Sequence, residues 1–171
     1  IVPNPIYDKV FHPIYDNYPD IIDKRDAKLK LKIQDSDIVL FFGIIRKYKG
    51  LDKLILSMEK VFEEKPNIKL LIVGECYGEK KKYLSLIKKS KYSDRILWVE
   101  EYVKESEVNL YFSASDVVVL PYLSASQSGI IPLAYNYNKP VIVSDLEGLA
   151  EVVDVDKTGH IFAPKLKNDL S

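Results

Sequence analysis

Two cations sit inside one glycine-bounded stretch, Gly43-Ile44-Ile45-Arg46-Lys47-Tyr48-Lys49-Gly50-Leu51. Gly43 and Gly50 let the backbone turn and be approached closely, and Arg46 and Lys49 precede the start of a helical pattern. Cations beside the positive end of a helix suit a diphosphate. Taken alone, a solvated basic loop would read the same way. A second anion-binding candidate is the hydroxyl-rich run Ser124-Ala125-Ser126-Gln127-Ser128-Gly129-Ile130. It enters another helical pattern, with Ser126 or Ser128 as N-cap and Gly129 permitting approach to the amides. A capped helix start without a ligand is its alternative. Gly74-Glu75-Cys76-Tyr77-Gly78 offers a further close-approach glycine, or a plain strand-to-helix turn.

Other residue types argue against other chemistries. Cys76 is the single cysteine, so neither an internal disulfide framework nor a multi-cysteine zinc site is available. No His lies near it in sequence to complete a triad. The two histidines, His12 and His160, stand apart from paired carboxylates and read as structural or surface residues. The twelve tyrosines are accompanied by no basic stripe, so they are not a nucleic-acid stacking platform. The lysine run at 80–82 and Glu63-Glu64 read as solvated helix faces.

Stepping along the chain gives the elements that must position these groups. Ile38-Val39-Leu40-Phe41-Phe42 is a continuous apolar run ending at Gly43, the pattern of a strand buried on both faces. Leu51, Leu54, Ile55, Met58, Val61 and Phe62 recur at helical spacing up to Pro66. Ile68–Val73, Arg95–Val99, Val117–Leu120, Val141–Val143 and His160–Phe162 read as further strands. Helices are expected near 78–91, around Val108–Phe112 and over 127–138, with a short one at 23–33. Strands and helices alternating in this way define an α/β domain, a Rossmann-like doubly wound parallel sheet of about six strands with helices on both faces. In such sheets ligands bind beyond the carboxyl ends of the strands, which is where the candidate loops fall.

Composition sets the outer bounds. The 171 residues carry 25 Lys+Arg and 25 Asp+Glu, a net charge of zero that argues against bulk binding to nucleic acid or an anionic surface. A hydrophobic content of 47% with 29% charged residues is that of a globular chain. The longest apolar run is far too short to span a bilayer, and with one cysteine a cytoplasmic setting is expected. A start at Ile1-Val2-Pro3, without methionine, suggests a piece of something longer. Residues 1–20, with four prolines and three tyrosines and no period, read as an interdomain connector; 21–171 read as the nucleotide-binding domain.

Together the loops resemble one family. Phe42–Ile55 is similar to the G-x-x-x-x-K-G-hydrophobic loop of glycosyltransferase family 4, among the glycosyl transferases of group 1 with the retaining GT-B fold. Leu71-Ile72-Val73-Gly74-Glu75, Ala114–Pro121, Lys139–Asp145, Glu147–Val153 and Thr158-Gly159 follow in the family's order. The resemblance covers residues 38 to 163 and implies the C-terminal, donor-binding half of a two-domain enzyme. It implies that Arg46 and Lys49, with Gly43 and the amides at Ser128, Gly129 and Ile130, hold the donor diphosphate. Glu101, Tyr102 and Val103, with Gly74, would receive the base. It further implies a nucleoside diphosphate-sugar (UDP- or GDP-sugar) as substrate, no cofactor and no metal. The partners would be an acceptor-binding domain earlier in the same polypeptide and a glycan or lipid-linked acceptor, as in surface polysaccharide synthesis, with possible docking at the inner face of the membrane. Transfer would then require the missing half.

One feature departs from the family, which commonly carries two glutamates eight positions apart toward the sugar and ribose. Those positions are Ala125 and Leu133, or Ser126 and Ala134, depending on the anchor. Ser126 and Gln127 become the candidates for those hydrogen bonds. A GT-B sugar-nucleotide epimerase and a non-catalytic nucleotide-sugar-binding module share the fold and remain alternatives. A dehydrogenase is disfavoured, because no G-x-G-x-x-G follows a strand.

Overall fold

The computed structural model describes residues 18–163. Six strands form one parallel sheet: β1 (Asp37–Phe42), β2 (Ile68–Val73), β3 (Ile96–Val99), β4 (Val117–Leu120), β5 (Val141–Ser144) and β6 (Gly159–Phe162). Their spatial order is β3-β2-β1-β4-β5-β6, and every adjacent pair is parallel. The helices are α1 (Lys24–Leu31), α2 (Leu51–Glu64), α3 (Lys80–Lys89), α4 (Val108–Ala114), α5 (Ile130–Asn136) and α6 (Glu147–Ala150).

The pleat of β1 sorts its side chains between two cores. Ile38 and Leu40 face α1, α4, α5 and α6, packing with Phe112, Leu133, Tyr137 and Leu149. Val39 and Phe41 face α2 and α3, packing with Leu51, Ile55, Met58, Phe62 and Tyr83. Helices on both faces explain why the strands read as apolar runs without alternation. The chain passes outward from β1 through β2 to β3. It then crosses back through α4 to lay β4 on the other side of β1. The carboxyl ends of β1 and β4 therefore flank the point where strand order reverses.

The opposite end of the sheet is pinned by Asp116. Its carboxylate accepts the Ile38 amide at 2.8 Å and the Lys28 ammonium at 3.3 Å, and it also pairs with Lys24. Burial by itself would raise the Asp116 pKa; the bonds from Lys24 and the Ile38 amide, with Lys28 nearby, outweigh it and hold the group below its ordinary range. Lys139 donates to the carbonyls of Ser113 and Ser115 at 3.1 and 2.9 Å, joining the α5–β5 connection to the end of α4.

Several boundaries differ from the sequence reading. The helix expected over 127–138 is only Ile130–Asn136, because Ser124–Gly129 forms an irregular loop and Asn138 turns left-handed at φ 54°. The expected 78–91 helix spans Lys80–Lys89, and Arg95 belongs to a 3-10 turn that precedes β3. α6 was hidden from periodicity by its single turn. Residues 1–17 of the expected connector, His12 among them, and residues 164–171 of the expected domain lie outside the described residues. At the connector's end, the Tyr137 hydroxyl donates to Pro19 O at 2.8 Å and Asn109 Nδ2 donates to Asp20 O at 2.9 Å. No described helix is long and apolar enough to cross a membrane.

Candidate functional site

The loops after β1 and β4 are built as one unit. After β1 the chain makes a 3-10 turn at Lys47–Lys49 and reaches α2 through Gly50 at φ 67°. A Cβ at Gly50 would lie 2.0 Å from the Pro121 carbonyl oxygen, so only glycine allows the two loops to touch there. Beside that contact, the Leu123 amide donates to Tyr48 O at 2.7 Å. The Tyr48 and Tyr122 rings meet edge to face with centroids 5.9 Å apart.

This packing encloses Lys49. The side chain is buried at 8% exposure, and its ammonium lies 5.4 Å from the Tyr122 ring centre. Among the described residues no carboxylate comes within ion-pair distance of it. Burial, and secondarily the nearby Arg46 charge, pull its pKa down to about 8. A side chain at Gly43 would meet the Lys49 ammonium at 3.1 Å and Ile130 Cδ1 at 3.4 Å, so residue 43 is kept bare where the cation and α5 converge. The ammonium therefore sits at the switch point without a counter-charge among the described residues.

Arg46 is exposed, with its guanidinium 5.9 Å from the centre of the Tyr77 ring. Backbone bonds lock these two loops together: the Ile45 amide donates to Glu75 O at 2.8 Å, and the Tyr77 amide to Ile45 O at 2.9 Å. The Tyr77 hydroxyl donates to the Glu75 carboxylate at 2.9 Å.

On the other side, the N-cap of α5 is Gly129, with no side-chain cap bond, and neither of the expected residues Ser126 and Ser128 takes that position. Ser128 sits one residue before it; its hydroxyl accepts the Ile130 amide at 3.3 Å and lies 3.4 Å from the Tyr122 hydroxyl. Tyr122 thus touches Lys49 with its ring and Ser128 with its hydroxyl; burial pushes that phenol up to about 12, against a smaller opposing effect of the Ser128 bond. Ser126 and Gln127 stand exposed on this loop, with the Ser126 carbonyl packed against Gly148 of α6.

A separate cleft opens beside Gly43, lined by Phe42, Gly43, Ile44, Val73, Gly74, Glu75 and Glu101–Val103. The sequence candidates for the base are therefore adjacent to the diphosphate candidates, with Gly43 common to both. The sequence reading missed Tyr122 and Tyr77. Both are loop tyrosines immediately beyond strand ends, a position that could have flagged them. His160 lies in the edge strand β6, exposed and 3.5 Å from Asp156, away from these groups. No cluster of potential metal ligands occurs among the described residues.

A six-stranded parallel sheet with two cations and two interlocked loops at its switch point defines a Rossmann-like domain of the GT-B type. The chain belongs to the glycosyl transferases group 1 family, whose sequence model matches residues 23–171. It is 33% identical over 127 residues to the GDP-mannose:glycolipid 4-beta-D-mannosyltransferase of Xanthomonas campestris, a match covering 72% of this chain and 35% of that protein. It is 27% identical over 136 residues to the D-inositol 3-phosphate glycosyltransferase of Segniliparus rotundus, covering 77% of this chain and 30% of that one. The chain thus spans about a third of the length of these relatives. Among solved structures, its fold matches the C-terminal domain of the group 1 protein LpcC from Francisella tularensis with a TM-score of 0.71 and 21% identity, over 86% of this chain and 77% of that one. It also matches Anabaena Alr3699/HepE in complex with UDP-glucose, with a TM-score of 0.75 and 18% identity, over 88% of this chain and 41% of that one.

Proposed function

We propose that this chain is the donor-binding half of a retaining glycosyltransferase, which moves a sugar from a nucleoside diphosphate to a glycan or lipid-linked acceptor. The single observation that carries this reading is the buried Lys49 ammonium, held at the switch point beside Arg46 and the start of α5 with no carboxylate partner among the described residues. A buried charge lacking a partner is costly, and an incoming diphosphate would supply one. The Xanthomonas relative is named for GDP-mannose and the Anabaena structures hold UDP and UDP-glucose, which supports a nucleotide-sugar as the ligand.

As the bond between the anomeric carbon and the diphosphate oxygen breaks, the diphosphate leaves with the electron pair. Arg46, Lys49 and the polar groups at Ser128–Ile130 are placed to offset that growing charge. With those cations supplied by the chain itself, transfer is expected to proceed without an added metal. The acceptor would be bound by another part of the polypeptide, at the cytoplasmic face of the membrane if it is lipid-linked, and this chain alone would be inactive.

The loop Ser124–Gly129 brings hydroxyls and one amide toward the donor side but no carboxylate. That favours, as a second reading, a nucleotide-sugar-binding module without transfer. Calorimetric titration with UDP- and GDP-sugars tests the main reading: Arg46→Ala with Lys49→Ala should lose most of the affinity, each charge-assisted contact being worth about 1.5–3 kcal/mol. Unchanged affinity in the double variant would refute the site. Donor binding without transfer by the longer polypeptide would support the second reading.

A further inference from the structure

The cleft at the ends of β1, β2 and β3 has an unusual side-chain inventory for a site next to a dianion. The charged side chains that line it are both acidic: Glu75 after β2 and Glu101 after β3. Among the described residues no lysine, arginine or histidine pairs with either carboxylate. The Tyr77 hydroxyl holds one Glu75 oxygen at 2.9 Å, which orients that carboxylate and leaves its second oxygen available. The Trp98 indole N–H donates to Gly74 O at 3.4 Å rather than to either carboxylate. Tyr102, 68% exposed, also lines the cleft and offers it an aromatic ring.

Ionised carboxylates only accept hydrogen bonds. Two of them around a base site select for an edge rich in N–H groups and penalise one rich in carbonyl oxygens. Guanine presents an N1–H and an N2 amino group side by side. Uracil presents a single N3–H flanked by two carbonyl oxygens, which the carboxylates would repel. Adenine and cytosine each pair one amino group with an acceptor nitrogen.

We infer that Glu75 and Glu101 make this cleft selective for guanine, so that the donor is a GDP-sugar, with the base edge read by the carboxylates and its face covered by Tyr102. The inference rests on the donor-site reading above and narrows it to one base. It also accounts for the placement of negative charge beside a phosphate site, where carboxylates would otherwise only weaken binding.

Calorimetric titration of the full chain with GDP, UDP, ADP and CDP tests it, because all four share the diphosphate. GDP should bind at least tenfold more tightly than UDP, the discrimination expected of a paired carboxylate–base contact. In E75Q/E101Q the amide side chains can donate as well as accept, and the GDP-to-UDP ratio should fall by about tenfold. The ratio is independent of any uniform gain from removing two negative charges. Equal or tighter binding of UDP, or a ratio unchanged in E75Q/E101Q, overturns guanine selectivity while leaving the diphosphate site standing. Failure of all four nucleotides to bind overturns both.

Discussion

The Lys49 ammonium faces the ring of Tyr122 at 5.4 Å, and Tyr122 in turn places its hydroxyl 3.4 Å from Ser128. One buried tyrosine thus spans the loop after β1 and the loop after β4, the two segments expected to share a diphosphate. The ring's negative face partly compensates a cation that no carboxylate of the described residues neutralises.

Lys49 should make both stability and nucleotide binding depend on pH. Its folded-state pKa of about 8 lies below the ordinary 10.5, so between those values the unfolded chain binds more protons than the folded one. Stability from this group therefore rises as pH increases through that window. Lys49→Met should remove the rise and stabilise the chain at neutral pH by on the order of 2 kcal/mol. Urea unfolding at pH 7 and pH 10 measures both effects. Nucleoside diphosphate affinity should move the other way, falling above about pH 8 as the ammonium deprotonates.

Tyr122 should separate into a ring contribution and a hydroxyl contribution. Tyr122→Phe retains the face toward Lys49 and the edge contact with Tyr48, so diphosphate affinity should stay within about threefold of the parent. Tyr122→Leu removes both contacts from a site only 3% exposed, and should cost about 2 kcal/mol of stability as well as weakening the ligand. Denaturant titration together with calorimetry distinguishes the two variants.

Tyr77 is expected to influence nucleoside diphosphate binding through Arg46, whose guanidinium lies 5.9 Å from its ring centre. Tyr77→Leu should weaken nucleoside diphosphate binding about two- to fivefold, since the guanidinium loses the ring that orients it, while Tyr77→Phe should not. In an Arg46→Ala background the Tyr77→Leu change should have no further effect. An equal effect in both backgrounds would show that Tyr77 does not work through Arg46.

Asp116 should govern the acid limb of stability. Its folded pKa is depressed, so its contribution is complete above the ordinary carboxylate value and is lost as pH falls through the folded value. Asp116→Asn leaves Lys28 and Lys24 without their acceptor charge. It should cost about 1–3 kcal/mol at pH 7 and progressively less as pH falls below the ordinary carboxylate range, as read from unfolding midpoints along the acid limb.

Local chemistry determined most of the fold. The apolar runs at Ile38–Phe42, Ile68–Val73 and Val117–Leu120 could be satisfied only by strands covered on both faces, and the 3- and 4-residue spacing of Leu51–Phe62 only by a helix. Those patterns depend on neighbours along the chain, so the parallel sheet and the loops at its carboxyl edge were legible without coordinates. The pairing of Arg46 and Lys49 with a glycine on each side was legible for the same reason. The ends of α5 and the existence of α6 were not, because they depend on contacts between segments distant in sequence: the Ser126 carbonyl against Gly148, and Leu149 in the core beneath.

Only the tertiary structure decided the character of the site. Sequence describes Lys49 and Arg46 as equivalent cations three residues apart. Folding buries one beneath Tyr122 and leaves the other exposed beside Tyr77, because Gly50 brings Pro121 and its loop down onto the first. Charge strength and pKa follow from which groups surround a side chain. For Lys49 those groups come from the loop after β4, about seventy residues on in the chain, and for the cleft they come from three strand ends at once.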